Sequence, residues 1–255
     1  PSYQGAANPM SSSVSPSLSS RVRRAFAGRS ADQIVAAAYK TLAQKLRRMA
    51  PAARAAARAD AMFDRQWGID TSREVTMSAL DYPAWLRQSS HHYQASGTHL
   101  LDQAIACAGI DPSAFSFVDL GCGKGRVVLL AAARGFVATI GVEYSPLLNQ
   151  IARANAETFV ARGGATQTPH FWQGNAADYV PPDGNLFVYL YNSFGPDILS
   201  GCLDRLEAAK LQSPSRRIVL VYVNAQHGDM VAARAAWREG GSGDDMRSFE
   251  CVSAG

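Results

Sequence analysis

Several large functional classes are excluded by what this chain lacks. Its 255 residues include four cysteines, Cys107, Cys122, Cys202 and Cys251, with no Cys-x-x-Cys pair and no accompanying His cluster. That argues against a disulfide framework or a structural zinc site, and it favours a reducing, cytoplasmic compartment with the cysteines as small core residues. No apolar run approaches the ~20 residues needed to cross a bilayer, so no membrane association is expected. Only 18% of residues are charged and 47% are hydrophobic, the composition of a folded chain rather than a disordered one. No Ser/His/Asp constellation for nucleophilic catalysis is visible. His91-His92 is not read as a metal pair, because adjacent residues rarely converge on one ion without further ligands.

The informative stretch begins with an apolar run over 115–120 and continues as Gly121-Cys122-Gly123-Lys124-Gly125, with glycines at alternate positions. A second apolar run over 127–133 follows and is stopped by Gly135. This reads as buried strand, tight turn and helix. Glycines belong there because a Cβ would keep a ligand off the backbone, and the helix start offers N–H groups to an electron-rich or anionic ligand. The spacing is not the Gly-x-Gly-x-x-Gly of dinucleotide folds. Asp119, two residues before the first glycine, would repel a pyrophosphate at close range but suits a cationic amine. The next strand, 137–143, ends in Glu143, where a carboxylate can accept hydrogen bonds from both hydroxyls of a ribose. Ser145 and Pro146 then cap and open a helix.

At these residues the chain resembles the class I, Rossmann-like S-adenosylmethionine-dependent methyltransferases. Val118-Asp119-Leu120-Gly121-Cys122-Gly123-Lys124-Gly125 is similar to their first motif, and Gly141-Val142-Glu143-Tyr144-Ser145 to their second; the resemblance covers roughly residues 93 to 252. It implies an α/β, Rossmann-like, doubly wound fold with a mostly parallel seven-stranded sheet, here with an N-terminal helical extension. The implied cofactor is S-adenosyl-L-methionine, leaving as S-adenosylhomocysteine. It would be held by Asp119, Gly121, Cys122, Gly123, Gly125, Glu143 and Tyr144. The segment 72–95 is a lid candidate. Tyr93 and Ser96 either donate hydroxyls to the cofactor carboxylate or cap and pack the helix beginning near Thr98. Gly174-Asn175-Ala176-Ala177-Asp178 stands where the family commonly has Gly-Asp-Ala. Asn175, beside Ala176, or else Asp178 would accept from the adenine amino group.

The strand 185–191 ends at Tyr191-Asn192-Ser193-Phe194-Gly195, which resembles, loosely, the acceptor motifs of amino-group and lysine methyltransferases. There the Asn side chain accepts hydrogens from the target nitrogen. Asn192 and Tyr191 are therefore the acceptor-side candidates, with Asn192 as a strand-to-helix cap the competing reading. Ser193 departs from the motif, and the aromatic falls two positions after Asn192 instead of three. Transfer to nitrogen is the reading. The alternatives are O- or C-methylation with His227 as base, a nucleic-acid acceptor, or a non-catalytic binding protein with this fold. The intact Asp119, Gly121, Gly123 and Glu143 argue against the last of these.

Residues 1–20 read as a tag remnant ahead of Met10 and a disordered Ser-rich tail, 21–70 as a basic helical arm, and 71–255 as the methyltransferase domain. In the arm, Ser30 and Gln33 form a capping box, and Pro51 opens a second helix to about Trp67. Residues 10–60 carry ten Lys/Arg against two acids, so a chain of net charge +4 is acidic elsewhere. Such an arm could meet nucleic acid, but no aromatics are interleaved with the basic residues, which favours a solvated face, packing over the site or a homodimer contact. Phe63-Asp64-Arg65-Gln66-Trp67-Gly68-Ile69-Asp70-Thr71 resembles a linker of uncharacterised bacterial methyltransferases and marks the boundary. Towards the end of the chain, a strand over 216–224 precedes a helix near 229–236. A Gly-rich loop then joins a short strand at Trp237-Arg238-Glu239 to a final one over 248–252.

Overall fold

The strand-forming stretches are short, rich in β-branched and aromatic residues, and apolar on both faces. β1 (Ser116–Leu120), β2 (Thr139–Glu143) and β5 (Ile218–Val223) are buried at every position, and β4 (Leu186–Tyr191) at all but its last. Burial on both faces requires a covered parallel sheet. A computed structural model of the chain describes residues 51–76, 80, 82–83, 98–243 and 245–252. The helical arm over 30–49, His91-His92, Tyr93 and Ser96 lie outside the described residues.

The sheet has seven strands in the order β3-β2-β1-β4-β5-β7-β6, where β3 is His170–Gln173, β6 is Trp237–Gly243 and β7 is Met246–Cys251. β1 to β5 pair in parallel, and β7 runs antiparallel between β5 and β6. This is the Rossmann-like, mostly parallel seven-stranded fold expected from the sequence. Strand order reverses between β1 and β4, and in such sheets the carboxyl ends of the strands at that point form the ligand crevice.

The period-2 alternation of the strands sorts the core into two layers. Val118, Val188, Leu190, Leu220 and Tyr222 face α5 (Pro196–Gln212), which presents Leu199, Leu203 and Leu206. Phe117, Phe187, Tyr189, Val219 and Val221 face the opposite layer. That layer holds α2 (Thr98–Ala108), the nearly all-buried α3 (Arg126–Ala132) and α4 (Pro146–Ala161). Helix starts follow local chemistry: Ser145 Oγ accepts from Leu148 N at 3.3 Å, and Pro146 and Pro196 occupy first turns.

Two expectations near the chain end need correction. The helix expected near 229–236 is the five-residue α6 (Gly228–Ala232), and the Gly-rich stretch is most of β6, not a loop. β6 starts at Trp237, as the sequence suggests, and Trp237 is buried there, its indole N–H donating to Glu207 at 2.7 Å. Gly241 is needed in that strand because a Cβ there would lie 2.5 Å from the Cys107 carbonyl oxygen at the end of α2. The pairing with β7 shifts register between Glu239 and Ser242, as a bulge does.

Helix α1 (Pro51–Trp67) precedes this core. Contacts divide the chain into Pro1–Arg54 and Ala55–Gly255, a division that falls inside α1, ahead of the boundary at Asp70-Thr71 read from the sequence. Among the described residues no helix is long and apolar enough to cross a membrane.

Candidate functional site

β1 delivers the chain into the turn with three left-handed glycines, Gly121 at φ 84°, Gly123 at φ 56° and Gly125 at φ 82°. Only glycine takes these conformations without strain. The turn is laced to the end of β2: Gly121 N and Cys122 N donate to the Val142 carbonyl at 2.9 and 3.0 Å, and Gly123 N donates to Glu143 Oε2 at 2.9 Å. A Cβ on Gly121 would lie 2.5 Å from Ser193 Cβ, so the end of β4 comes directly against the turn. Cys122 points away from this surface, into the core beside Phe171. Burial first, then the neighbouring Asp119 and Glu143, pushes its thiol well above the usual range, so it is an inert packing residue.

Two carboxylates frame the turn. Asp119 is 4% exposed and makes no hydrogen bond to another described residue; burial, with the nearby Glu143 adding to it, pushes its pKa up to about 8. Glu143 is equally buried, and its Oε1 accepts from Ser145 N at 2.8 Å and from the Tyr82 hydroxyl at 3.1 Å. Its pKa is raised as well, because burial outweighs the N–H groups donated by Ser145 and Gly123. Two like charges in low dielectric favour a partner that is cationic at one end and a hydrogen-bond donor at the other.

Of the other residues singled out in the sequence, Tyr144 is half-buried and meets Tyr82 edge-on, with centroids 5.8 Å apart. Asn175 spends its carbonyl on its own backbone: Oδ1 accepts from Ala177 N at 3.2 Å and caps the short turn Ala176–Asp178. Ala176 is buried and Asp178 exposed. Tyr191 is half-buried at the end of β4. Asn192, buried and at φ 39°, accepts through Oδ1 from the Tyr222 hydroxyl at 3.0 Å. His227 stands at the start of α6. The structure thus gathers Asp119, Gly121, Gly123, Glu143 and Tyr144 at the carboxyl ends of β1 and β2, with Asn192 ending the adjacent β4.

The sequence reading missed the role of the two basic residues around Gly125. Lys124 and Arg126 are each 1% exposed. Lys124 Nζ donates to Asp70 Oδ2 at 3.0 Å and to the Arg73 carbonyl at 2.7 Å. Arg126 reaches Asp60 Oδ1 at 2.5 Å, Asp64 Oδ1 at 3.2 Å and Thr71 Oγ1 at 2.7 Å. Asn155 completes the brace: its Nδ2 donates to the Asp70 and Lys124 carbonyls, and its Oδ1 accepts from Asp70 N. A signal existed, since Asp60 and Asp64 sit at i,i+4 on one face of α1 with Asp70 just beyond.

No family model matches the chain, and no curated protein does. Among solved structures it is similar to an RNA methyltransferase from Salinibacter ruber in complex with S-adenosyl-L-homocysteine, at 20% identity and TM-score 0.45, covering 63% of this chain and 95% of that one. It is also similar to magnesium protoporphyrin IX methyltransferase from Synechocystis with bound S-adenosylmethionine, at 18% identity and TM-score 0.45, covering 62% and 79%. A third is a putative methyltransferase from Escherichia coli, at 16% identity and TM-score 0.46, covering 62% and 87%.

Proposed function

We propose that this chain is an S-adenosylmethionine-dependent methyltransferase. The observation that carries the reading is Asp119, a buried carboxylate with no described hydrogen-bond partner, set beside a left-handed glycine turn and one strand away from Glu143. The residues fit the cofactor: Asp119 suits its ammonium, Glu143 its ribose diol and the bare face of Gly121 a close backbone approach. Tyr144, next to Glu143, and Asn175, just past β3, are the candidates to line the adenine side. The cofactor supplies a methyl group already activated on a sulfonium, so the chain has to position the two partners in line and exclude water. That demand is consistent with a site built of glycines, carboxylates and an amide instead of a nucleophile and base.

Calorimetric titration of S-adenosylhomocysteine tests the reading. Wild type should bind, and Glu143→Gln, which exchanges an accepting oxygen for an N–H donor, should bind about tenfold more weakly. A folded wild type that binds neither S-adenosylhomocysteine nor S-adenosylmethionine would remove the proposal.

On the acceptor side the reading is a nitrogen, in an amine or lysine side chain. Asn192 supports it: the Tyr222 hydroxyl, held in turn by the His227 backbone, donates to Asn192 Oδ1 at 3.0 Å and fixes the amide at the end of β4. Asn192→Ala should leave cofactor affinity within about twofold and lower turnover of an accepted amine by about a hundredfold, the scale of losing one preorganised polar contact. Methylation of phenols or carboxylates but not amines in an acceptor screen would move the reading to oxygen.

A further inference from the structure

The cofactor acid already has a ligand from this chain. Of the four lone-pair positions a carboxylate offers, at least three on Glu143 are engaged, by Ser145 N and the Tyr82 hydroxyl on Oε1 and by Gly123 N on Oε2, and the Tyr144 N–H also faces it. A ribose diol needs two. One of the present donors therefore has to leave, and the three differ in what holds them. Gly123 N belongs to the buried left-handed turn, and Ser145 N to a residue whose own side chain caps α4. Both are backbone groups fixed by the fold.

Tyr82 is different. Its hydroxyl is carried on a half-buried side chain whose ring rests edge-on against Tyr144. Leu80, two residues before it, is held separately: it is 1% exposed, and its carbonyl accepts from Tyr82 N at 2.8 Å. Rotation of this side chain alone would free Oε1, with Leu80 left in place. Burial, and then the charge of Glu143, keeps the phenol protonated, so it is a donor to this carboxylate, as a ribose hydroxyl is.

We propose that Tyr82 occupies the ribose position on Glu143 in the cofactor-free protein and is exchanged for the ribose diol on binding, so that it sets cofactor affinity by competition. This rests on the methyltransferase reading above. The exchange moves no covalent bond. One O–H donor replaces another on Oε1, and the diol's second hydroxyl joins Gly123 N on Oε2.

The sign of one substitution tests it. Tyr82→Phe keeps the ring and its contact with Tyr144 and removes only the competing hydroxyl. S-adenosylhomocysteine should bind Tyr82→Phe about three- to tenfold more tightly than wild type, since the cofactor no longer displaces a hydrogen bond to a charged group. Thermal denaturation of the free variant shows that it is folded. Cofactor binding to wild type should also perturb the tyrosine absorbance near 290 nm more than binding to the variant does. Equal or weaker binding by folded Tyr82→Phe would overturn the proposal, because a tyrosine that only supports the fold, or that helps hold the cofactor, gives that result. If wild type binds and Glu143→Gln is weakened while Tyr82→Phe gains nothing, only this inference falls. If neither wild type nor Tyr82→Phe binds, the methyltransferase reading falls with it.

Discussion

Arg126→Ala is expected to destabilise the domain by about 3–5 kcal/mol, the cost of breaking a buried ion pair by deleting one partner. The reason lies in what remains. The Arg126 side chain is 1% exposed, against 17% and 11% for Asp60 and Asp64, and it is the shared counter-ion of both carboxylates. It also lies over the Phe63 ring at 5.1 Å, so its loss leaves a cavity as well as two neighbouring acids. Arg126→Lys should recover only part of the stability, because an ammonium has no planar fork to serve Asp60, Asp64 and Thr71 together. The comparison is Arg134→Ala. Its pair with Asp102 is 29% and 58% exposed, and its removal should cost no more than about 1 kcal/mol. Denaturant midpoints measure both. A loss at Arg126 as small as that at Arg134 would mean that the brace from α1 to the glycine turn is dispensable.

The same network carries a pH signature with a definite sign. Burial raises the Asp64 carboxyl, but hydrogen bonds from Ser72 and Thr71 more than offset it and leave its pKa below the usual carboxylate value. A group depressed in the folded state contributes stability above its unfolded pKa and loses that contribution as pH falls through the folded one. Asp64 therefore stabilises the protein at neutral pH and stops doing so in acid. Asp60, raised chiefly by burial, works in the opposite direction and blunts the effect.

How much of this was legible in the sequence depended on how local each signal was. The strand, glycine turn and helix around Gly121 could be read because the conformations are dictated residue by residue, and Asp119 and Glu143 because strand ends fix where they emerge. Pro146 and Pro196 announced their helices in the same way. The roles of Lys124 and Arg126 were overlooked because a charged side chain reads locally as solvated and their partners lie 54 and 66 residues earlier in the chain, where the acids on α1 were the one sign of them. Tyr82 was hidden for the same reason, its acceptor Glu143 lying 61 residues ahead. β6 was read only over Trp237-Arg238-Glu239, because the glycines at 240, 241 and 243 argue against its continuing as a strand. The pairing with β7 and the close passage past Cys107 overrode that local preference.

The affinity for S-adenosylmethionine should follow a bell in pH with its maximum near 8. Asp119 has a pKa of about 8 in the free protein. An α-amino group has one of about 7.7–8.0. The bound pair shares one proton, as carboxylate and ammonium. Below the maximum both partners arrive protonated, so binding must expel a proton, and affinity falls by up to tenfold per pH unit. Above it neither carries the proton, and one must be taken up. Binding should be about twentyfold weaker at pH 6 than at pH 8, with close to one proton released per cofactor at the lower pH. Glu143, also raised, steepens the acid limb as its carboxylate is lost to the diol. Calorimetry in buffers of different ionisation enthalpy counts the protons directly. In Asp119→Asn the acid limb should flatten to what Glu143 alone contributes, and affinity at pH 8 should drop by tenfold or more, since an amide offers the ammonium no charge. An affinity that stays level from pH 6 to 8 in wild type would mean that Asp119 does not meet the ammonium, and the cofactor assignment would lose its principal support.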